Sequence, residues 1–245
     1  MGMLNIDEHV EEHRVLAIRY PDKAVMLGQT IPFPGFAPRL VASLVASSTA
    51  ACTSGVVTVT AVAHGIITAF NGGFEFYYPG STNLAAGWYP DFSRTGADTC
   101  TFSAPLAANF TSESINSGAA MVNEVTIASI VLPPYTMNPG DIVRATFAIN
   151  QDATSSNRTQ RLKLGTTSIS ALAIPTATSS SIGSFAFSVI SPNKQFGVSA
   201  KEQNSSATEN YGTEDISTSL TISLTNQLAS AGCYSAFSSL KLEIQ

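Results

Sequence analysis

Residues 136–165 read TMNPGDIVRATFAINQDATSSNRTQRLKLG, and this segment decides the fold class. Its first half, residues 141–150, alternates between an apolar face that carries Val143 and Phe147 and a more polar face that carries Arg144. A period of two residues is the signature of a half-buried β-strand. No side chain in the segment is placed for catalysis, so the pattern predicts a β protein that builds a surface.

The second half of the segment predicts another strand. Residues 158–165 turn Leu162 and Leu164 inward, and the charged residues between them face water. The intervening residues 151–157 are rich in Asp, Ser, Asn and Thr, whose side chains bond their own backbone in turns. The segment therefore consists of two alternating strands on either side of a polar loop.

Residues 121–245 as a whole predict an antiparallel sandwich. No stretch between the candidate strands is long or apolar enough for a crossover helix, which disfavours a parallel α/β sheet. We identify eight candidate strands: Asn123–Leu132, Asp141–Asn150, Arg158–Leu164, Ser168–Ile174, Ser184–Ile190, Gln195–Lys201, Ser217–Leu224 and Phe237–Ile244.

The TMNPGD turn and the NRTQRLKLG strand resemble the terminal jelly-roll domain of virion structural proteins of tailed bacteriophages. This resemblance implies that residues 121–245 fold as an eight-stranded antiparallel jelly roll. Residues 63–105, AHGIITAFNGGFEFYYPGSTNLAAGWYPDFSRTGADTCTFSAP, also resemble a module that recurs in phage structural proteins without a known activity. Together the resemblances imply a non-enzymatic virion protein, first a capsid decoration or head-fibre protein. The rival is a tail-associated receptor-binding protein that recognises host surface glycan.

The first 120 residues predict two further regions. Residues 41–120 read as a small β-domain, and residues 1–40 read as an extended arm, because each proline fixes its own φ and disfavours helix before it. The arm carries three apolar side chains that need a partner surface, Ile31, Phe33 and Phe36. We expect them to anchor the chain to the major capsid protein or to other virion proteins.

The amino-acid composition of the chain limits the kinds of partner to expect. Apolar residues make up 44% of the chain and charged residues only 12%, while Ser and Thr supply roughly a quarter. Such surfaces suit close packing between proteins, so a homo-oligomer is expected, and phage jelly rolls of this kind imply a trimer. The net charge of -5 gives no reason to bind nucleic acid. The acidic N-terminus lacks a signal-peptide core, so we expect no membrane partner and a virion protein made in the host bacterial cytoplasm.

Catalytic and metal-binding patterns are weak, and no catalytic residue, cofactor or metal is expected. Residues 9–13, HVEEH, match an inverted zincin motif but precede a β-rich chain with no helical scaffold for a third ligand. His64 follows a strand and is read as a residue that stabilises a turn. The three cysteines, Cys52, Cys100 and Cys233, contain no CxxC pair and are read as small buried apolar residues.

The densest aromatic cluster leaves two interpretations open. Tyr77, Tyr78, Trp88 and Tyr89 lie close together in sequence. Alternating aromatics on a strand usually fill the core of a small β-domain. The same rings, beside polar residues, could instead stack on sugars in a shallow groove.

Overall fold

The computed structural model describes residues 30–32, 36–45, 47–116, 124–151, 158–174, 180–200, 206–228 and 232–245. Over these residues the chain is all-β, as predicted, with a single 3-10 turn at Thr68–Phe70 and no α-helix. In chain order the strands are β1 (Thr30–Pro32), β2 (Arg39–Ala42), β3 (Thr49–Thr53), β4 (Val56–Thr60), β5 (Glu75–Tyr78), β6 (Gly87–Tyr89), β7 (Ser93–Arg94), β8 (Thr99–Ser103), β9 (Phe110–Ser114), β10 (Val125–Leu132), β11 (Ile142–Gln151), β12 (Arg158–Leu164), β13 (Thr167–Ile174), β14 (Ser180–Ser191), β15 (Lys194–Ala200), β16 (Ser206–Glu209), β17 (Tyr211–Gly212), β18 (Leu220–Leu228) and β19 (Tyr234–Ile244).

These strands form three sheets. Sheet 1 runs β17-β15-β14-β11-β19-β2-β5-β6, and β1 also pairs with β19, beyond the residues that β2 occupies. Sheet 2 runs β10-β18-β12-β13-β16, and sheet 3 runs β7-β8-β4-β3-β9. All pairings are antiparallel except that of β2 with β5, which is parallel.

The larger hydrophobic core lies between sheets 1 and 2. Strand β11 supplies every second residue to it, as its alternation predicts, and the phenyl ring of Phe147 lies at its centre. This ring stacks on Phe185 at 5.5 Å and contacts Phe237 at 5.9 Å between centroids. Aromatic pairs of this kind contribute about 0.5–1.5 kcal/mol beyond the area they bury.

A second core lies between sheet 3 and the other face of sheet 1. Strand β2 is buried on both faces, because Val41 points into the first core whereas Leu40 and Ala42 point into the second. Phe76 and Phe102 meet in the second core with ring centroids 5.7 Å apart. Sheet 1 is therefore a shared middle layer, covered by sheet 2 over one part and by sheet 3 over another.

Each of the eight predicted strands corresponds to an observed strand, with ends shifted by up to four residues. The predicted number was wrong, because residues 124–245 also hold β16 and β17, which extend the edges of sheets 2 and 1. Strand β5, expected in a separate small β-domain, instead joins sheet 1 through its parallel pairing with β2. The domain boundaries near residues 40 and 120 stay predictions.

Candidate functional site

The structure places the predicted anchoring residues differently from one another. Ile31 lies in β1, where its backbone pairs with Leu242 of the chain's own β19. Phe36 is half-buried and packs against the first core. Phe33 lies outside the described residues. Two parts of the predicted arm, residues 30–32 and Phe36, therefore contact the body of the protein.

The predicted aromatic cluster is divided between two faces of β5 and β6. Tyr78 is fully buried in the second core, 5.3 Å from the ring of Phe102, so its assignment to a glycan-binding surface was wrong. Burial raises the pKa of Tyr78, with the Ser81 side chain acting in the opposite direction. Strand alternation explains the division, because Tyr77 precedes Tyr78 and must point to the opposite face.

Tyr89 is also committed to packing. Its ring lies 4.9 Å from that of Phe102, and its hydroxyl donates a hydrogen bond of 2.9 Å to the carbonyl oxygen of Ala85. Partial burial raises its pKa. Tyr89 therefore holds the 85–89 turn against the second core and is a weaker candidate for ligand contact than its neighbour Trp88.

The remaining aromatic residues lie beside an arginine and a glutamate. We call this group the aromatic shelf; its members are Phe36, Arg39, Glu75, Tyr77 and Trp88. Trp88 and Tyr77 are half-buried cross-strand partners whose rings meet edge to face at 5.3 Å. The guanidinium carbon of Arg39 lies 4.7 Å from the centroid of Trp88 and 6.0 Å from that of Phe36. A cation over an aromatic ring at this distance is attracted by the ring quadrupole.

Arg39 is fixed by two further contacts. Its Nε lies 3.0 Å from Oε2 of Glu75, and its Nη1 donates to the backbone carbonyl of Ile127 in β10. Arg39 and Glu75 are register partners in the parallel pairing of β2 with β5. The guanidinium thus ties the β5-β6 end of sheet 1 to the edge strand of sheet 2.

The shelf combines partly exposed aromatic rings with a held guanidinium–carboxylate pair. This is the mixture of apolar surface and a few directed polar groups that is typical of ligand sites. Sequence reasoning missed Arg39 and Glu75, since only the parallel pairing of two strands distant in sequence brings them together.

The histidine that the sequence analysis singled out stabilises local structure. His64 is buried, and its Nδ1 accepts a hydrogen bond of 3.1 Å from the backbone N–H of Ile66, so it stabilises the turn. Desolvation lowers the pKa of His64, and the positive charge of Arg94 acts in the same direction. The carboxylate of Asp98 in the same region accepts a hydrogen bond of 2.8 Å from the backbone N–H of Ala63.

The three cysteines are all buried and no disulfide joins them, which confirms the prediction of small buried residues. Burial raises the pKa of the Cys100 thiol to about 12. Within the described ranges, no three or more His, Cys, Asp or Glu side chains are grouped to hold a metal ion. The HVEEH motif lies outside those ranges. Across the same ranges, no helix is long and apolar enough to cross a bilayer.

Comparison with known proteins gives only distant similarities. No family model matches the chain, and no curated protein is similar to it. Among solved structures, the insecticidal delta-endotoxin Cry8Ea1 of Bacillus thuringiensis is 12% identical with a TM-score of 0.24, over 81% of this chain and 41% of the toxin. A bifunctional GH43-CE protein of Bacteroides eggerthii is 9% identical with a TM-score of 0.24, over 82% of this chain and 40% of that protein. The chain thus spans about two fifths of these structures, and TM-scores this low carry no argument about fold or function.

Proposed function

We propose that sheets 1 and 2 form a jelly roll that carries an inserted β-domain. The strand order supports this. Eight strands, β2, β10, β11, β12, β13, β14, β18 and β19, divide into the orders β2-β19-β11-β14 and β10-β18-β12-β13. Numbered along the chain, these are 1-8-3-6 and 2-7-4-5, the arrangement of a two-sheet jelly roll. Strands β3 to β9 are then an insertion between its first and second strands.

With this fold, the role that we propose for the chain is that of a non-enzymatic structural protein of a bacteriophage virion. The first choice is a capsid decoration or head-fibre protein. The strand order is the observation that carries this proposal, because double-sheet jelly rolls are a common architecture of viral capsid domains. The sequence resemblance of residues 136–165 to phage jelly rolls points the same way. A fold alone does not establish a function, so the test must be made on particles.

Quantitative mass spectrometry of purified particles, together with antibody labelling in electron micrographs, locates the protein. We expect tens to hundreds of copies per particle, distributed over the shell. A few copies confined to the tail would favour the receptor-binding alternative. Absence from purified particles would overturn both.

Attachment to the major capsid protein or another virion protein is assigned to the part of the arm before β1. Strand β1 pairs with β19, and Phe36 packs against the first core, so these residues support the body as well. An extended segment can add main-chain hydrogen bonds to the sheet edge of a partner. Deleting residues 1–29 is expected to leave a folded body that no longer joins particles, whereas deleting residues 1–38 should also lower stability. Normal occupancy of the shorter deletion on particles would place the anchor elsewhere.

The second candidate function is host-glycan recognition at the aromatic shelf. Trp88 and Tyr77 present partly exposed rings beside the ion pair of Arg39 and Glu75. Replacing Trp88 with alanine should then weaken glycan binding at least tenfold in an array or by calorimetry. Tyr135→Ala is the matched control, since Tyr135 is a 70% exposed aromatic outside the shelf. If the wild-type chain retains no glycan, or if both variants bind as wild type does, the shelf is structural only.

A further inference from the structure

One face of sheet 1 changes character partway across. Over β2, β5 and β6 this face is covered by sheet 3, and Leu40, Phe76 and Ala236 are buried there. The same face continues over the later part of β19 and over β11, β14 and β15, where no described segment covers it. We call this second part the open face.

The open face is apolar for a surface. Its outward positions include Ile142, Ile182 and Ile190, which are 40%, 62% and 49% exposed, and Tyr211 at its margin is 63% exposed. Along the middle strand β14, the outward residues at positions 182, 184, 186, 188 and 190 are Ile, Ser, Ala, Ser and Ile, with no charge among them. Exposed isoleucines at both ends of an uncharged strand, with Ser184, Ala186 and Ser188 between them, make this face a candidate interaction site.

The charges of the open face do not oppose contact with an identical surface. Arg144 of β11 lies directly opposite Glu243 of β19 in the strand register, so this pair adds no net charge. Lys241 and Lys194 lie toward the two margins, and the ammonium of Lys194 is 5.6 Å from the centroid of the Tyr211 ring. The outward row of β14 consists of small and aliphatic side chains, and Arg144 lies opposite its middle residue, Ala186.

The outer face of sheet 2 is different. There Glu124 is half-buried between Lys163, 2.6 Å away, and Arg161, 3.4 Å away. Partial burial of Glu124 opposes ionisation, but hydrogen bonds from Lys163 and Thr225 hold the pKa of its carboxyl below the usual range. The charged side chains of this face are paired with one another, as is common on a surface exposed to solvent.

The size of the open face matches that of a subunit interface. Four strands about 4.8 Å apart, with β11 extending over ten residues at about 3.3 Å each, span roughly 600 Å² in projection. Side-chain relief increases the accessible area above that figure. A standard interface buries about 800 Å² on each partner.

We propose that the open face is the surface through which copies of this chain associate. This inference rests on the homo-oligomer that the composition leads us to expect, and it names the face through which the copies meet. A second copy fits better than a charged partner, because the outward row of β14 is uncharged and the central pair of Arg144 and Glu243 is matched within the face. Copies that meet through this face leave the aromatic shelf outside the contact, because Tyr77 and Trp88 pack on the other face of sheet 1.

The test compares two aspartate variants by light scattering and analytical ultracentrifugation of the full chain. Ile182→Asp should weaken self-association by at least tenfold, because it replaces the most exposed isoleucine of the open face with a carboxylate. Val131→Asp is the matched control, since Val131 is 53% exposed on β10, in the sheet on the opposite side of the sandwich, and should associate as wild type does. Circular dichroism establishes that both variants are folded.

A cross-linking experiment keeps the inference falsifiable if Ile182→Asp does not fold. The native cysteines are buried, so a short bis-maleimide should join copies of Ile182→Cys and leave both the wild-type chain and Val131→Cys unjoined. A wild-type chain that is monomeric at tens of micromolar, or equal cross-linking of both cysteine variants, would overturn the assignment. Binding of the same variants to particles is measured separately, so that loss of self-association and loss of virion attachment are told apart.

Discussion

Replacing Gly197 with alanine is expected to destabilise the sandwich by about 3 kcal/mol. Gly197 is buried in β15, and a Cβ atom there would lie 2.0 Å from the carbonyl oxygen of Ile169 in β13 and 2.6 Å from its Cγ2. An ordinary contact begins at 3.4 Å, so the strands would have to separate by more than an ångström. Because the obstructing atom is backbone, no side-chain rotation can relieve the clash.

The magnitude follows from what the separation breaks. Asn210 joins the two sheets here, because its N–H donates to Ile169 at 3.0 Å and its carbonyl accepts from the N–H of Gly197 at 3.0 Å. Overpacking a close-fitting site costs about 1–3 kcal/mol, and a hydrogen bond lost at this edge costs about 1 kcal/mol. For a chain of this length, about 3 kcal/mol lowers Tm by roughly 6–12 °C.

Urea unfolding followed by circular dichroism measures the effect. The control is Gly73→Ala, because Gly73 has no atom within 4 Å of an added Cβ and no left-handed φ. Alanine there should leave the midpoint unchanged or raise it slightly, by reducing the entropy of the unfolded chain. If Gly197→Ala unfolds at the same urea concentration as Gly73→Ala, the close approach of β13 to β15 is refuted.

Three further variants test the shelf and the buried histidine. Arg39→Ala should lower the free energy of unfolding by about 2–3 kcal/mol, because it removes hydrogen bonds and cation–π contacts. It should also red-shift the fluorescence of Trp88, the only tryptophan. Glu75→Gln should lower the free energy of unfolding by under about 1 kcal/mol, since a partly exposed ion pair contributes little. Equal losses in the two variants would contradict the role given to the ring contacts. His64 has a folded pKa below its unfolded value, so its contribution is present above about pH 6.5 and is lost as the pH falls toward the folded pKa. The wild-type urea midpoint should therefore fall more than that of His64→Asn between pH 7.5 and 5.5, and parallel declines would show that His64 is not the group responsible.

The strands of the 136–165 segment are the part of the fold that the sequence determines most directly. The predicted bounds, 141–150 and 158–164, differ from the observed β11 and β12 by at most one residue. Alternation of apolar and polar side chains is a local property, and the buried face of each strand follows from it. The turns around residues 138–140 and 192–193 are also local, because Pro, Gly and Asn restrict or permit particular backbone angles.

The assembly of the sheets was decided by contacts between distant residues. The pairing of β2 with both β19 and β5 makes sheet 1 a shared layer and joins the start of the described chain to its end. The same pairing creates the aromatic shelf, since it sets Arg39 beside Glu75 and Trp88. Alternation puts Tyr77 and Tyr78 on opposite faces, but only the packing of sheet 3 makes the face of Tyr78 the buried one. The periodicity of a strand predicts which residues share each of its two faces. The sheet that covers each face is set by the pairing of strands that are distant in sequence.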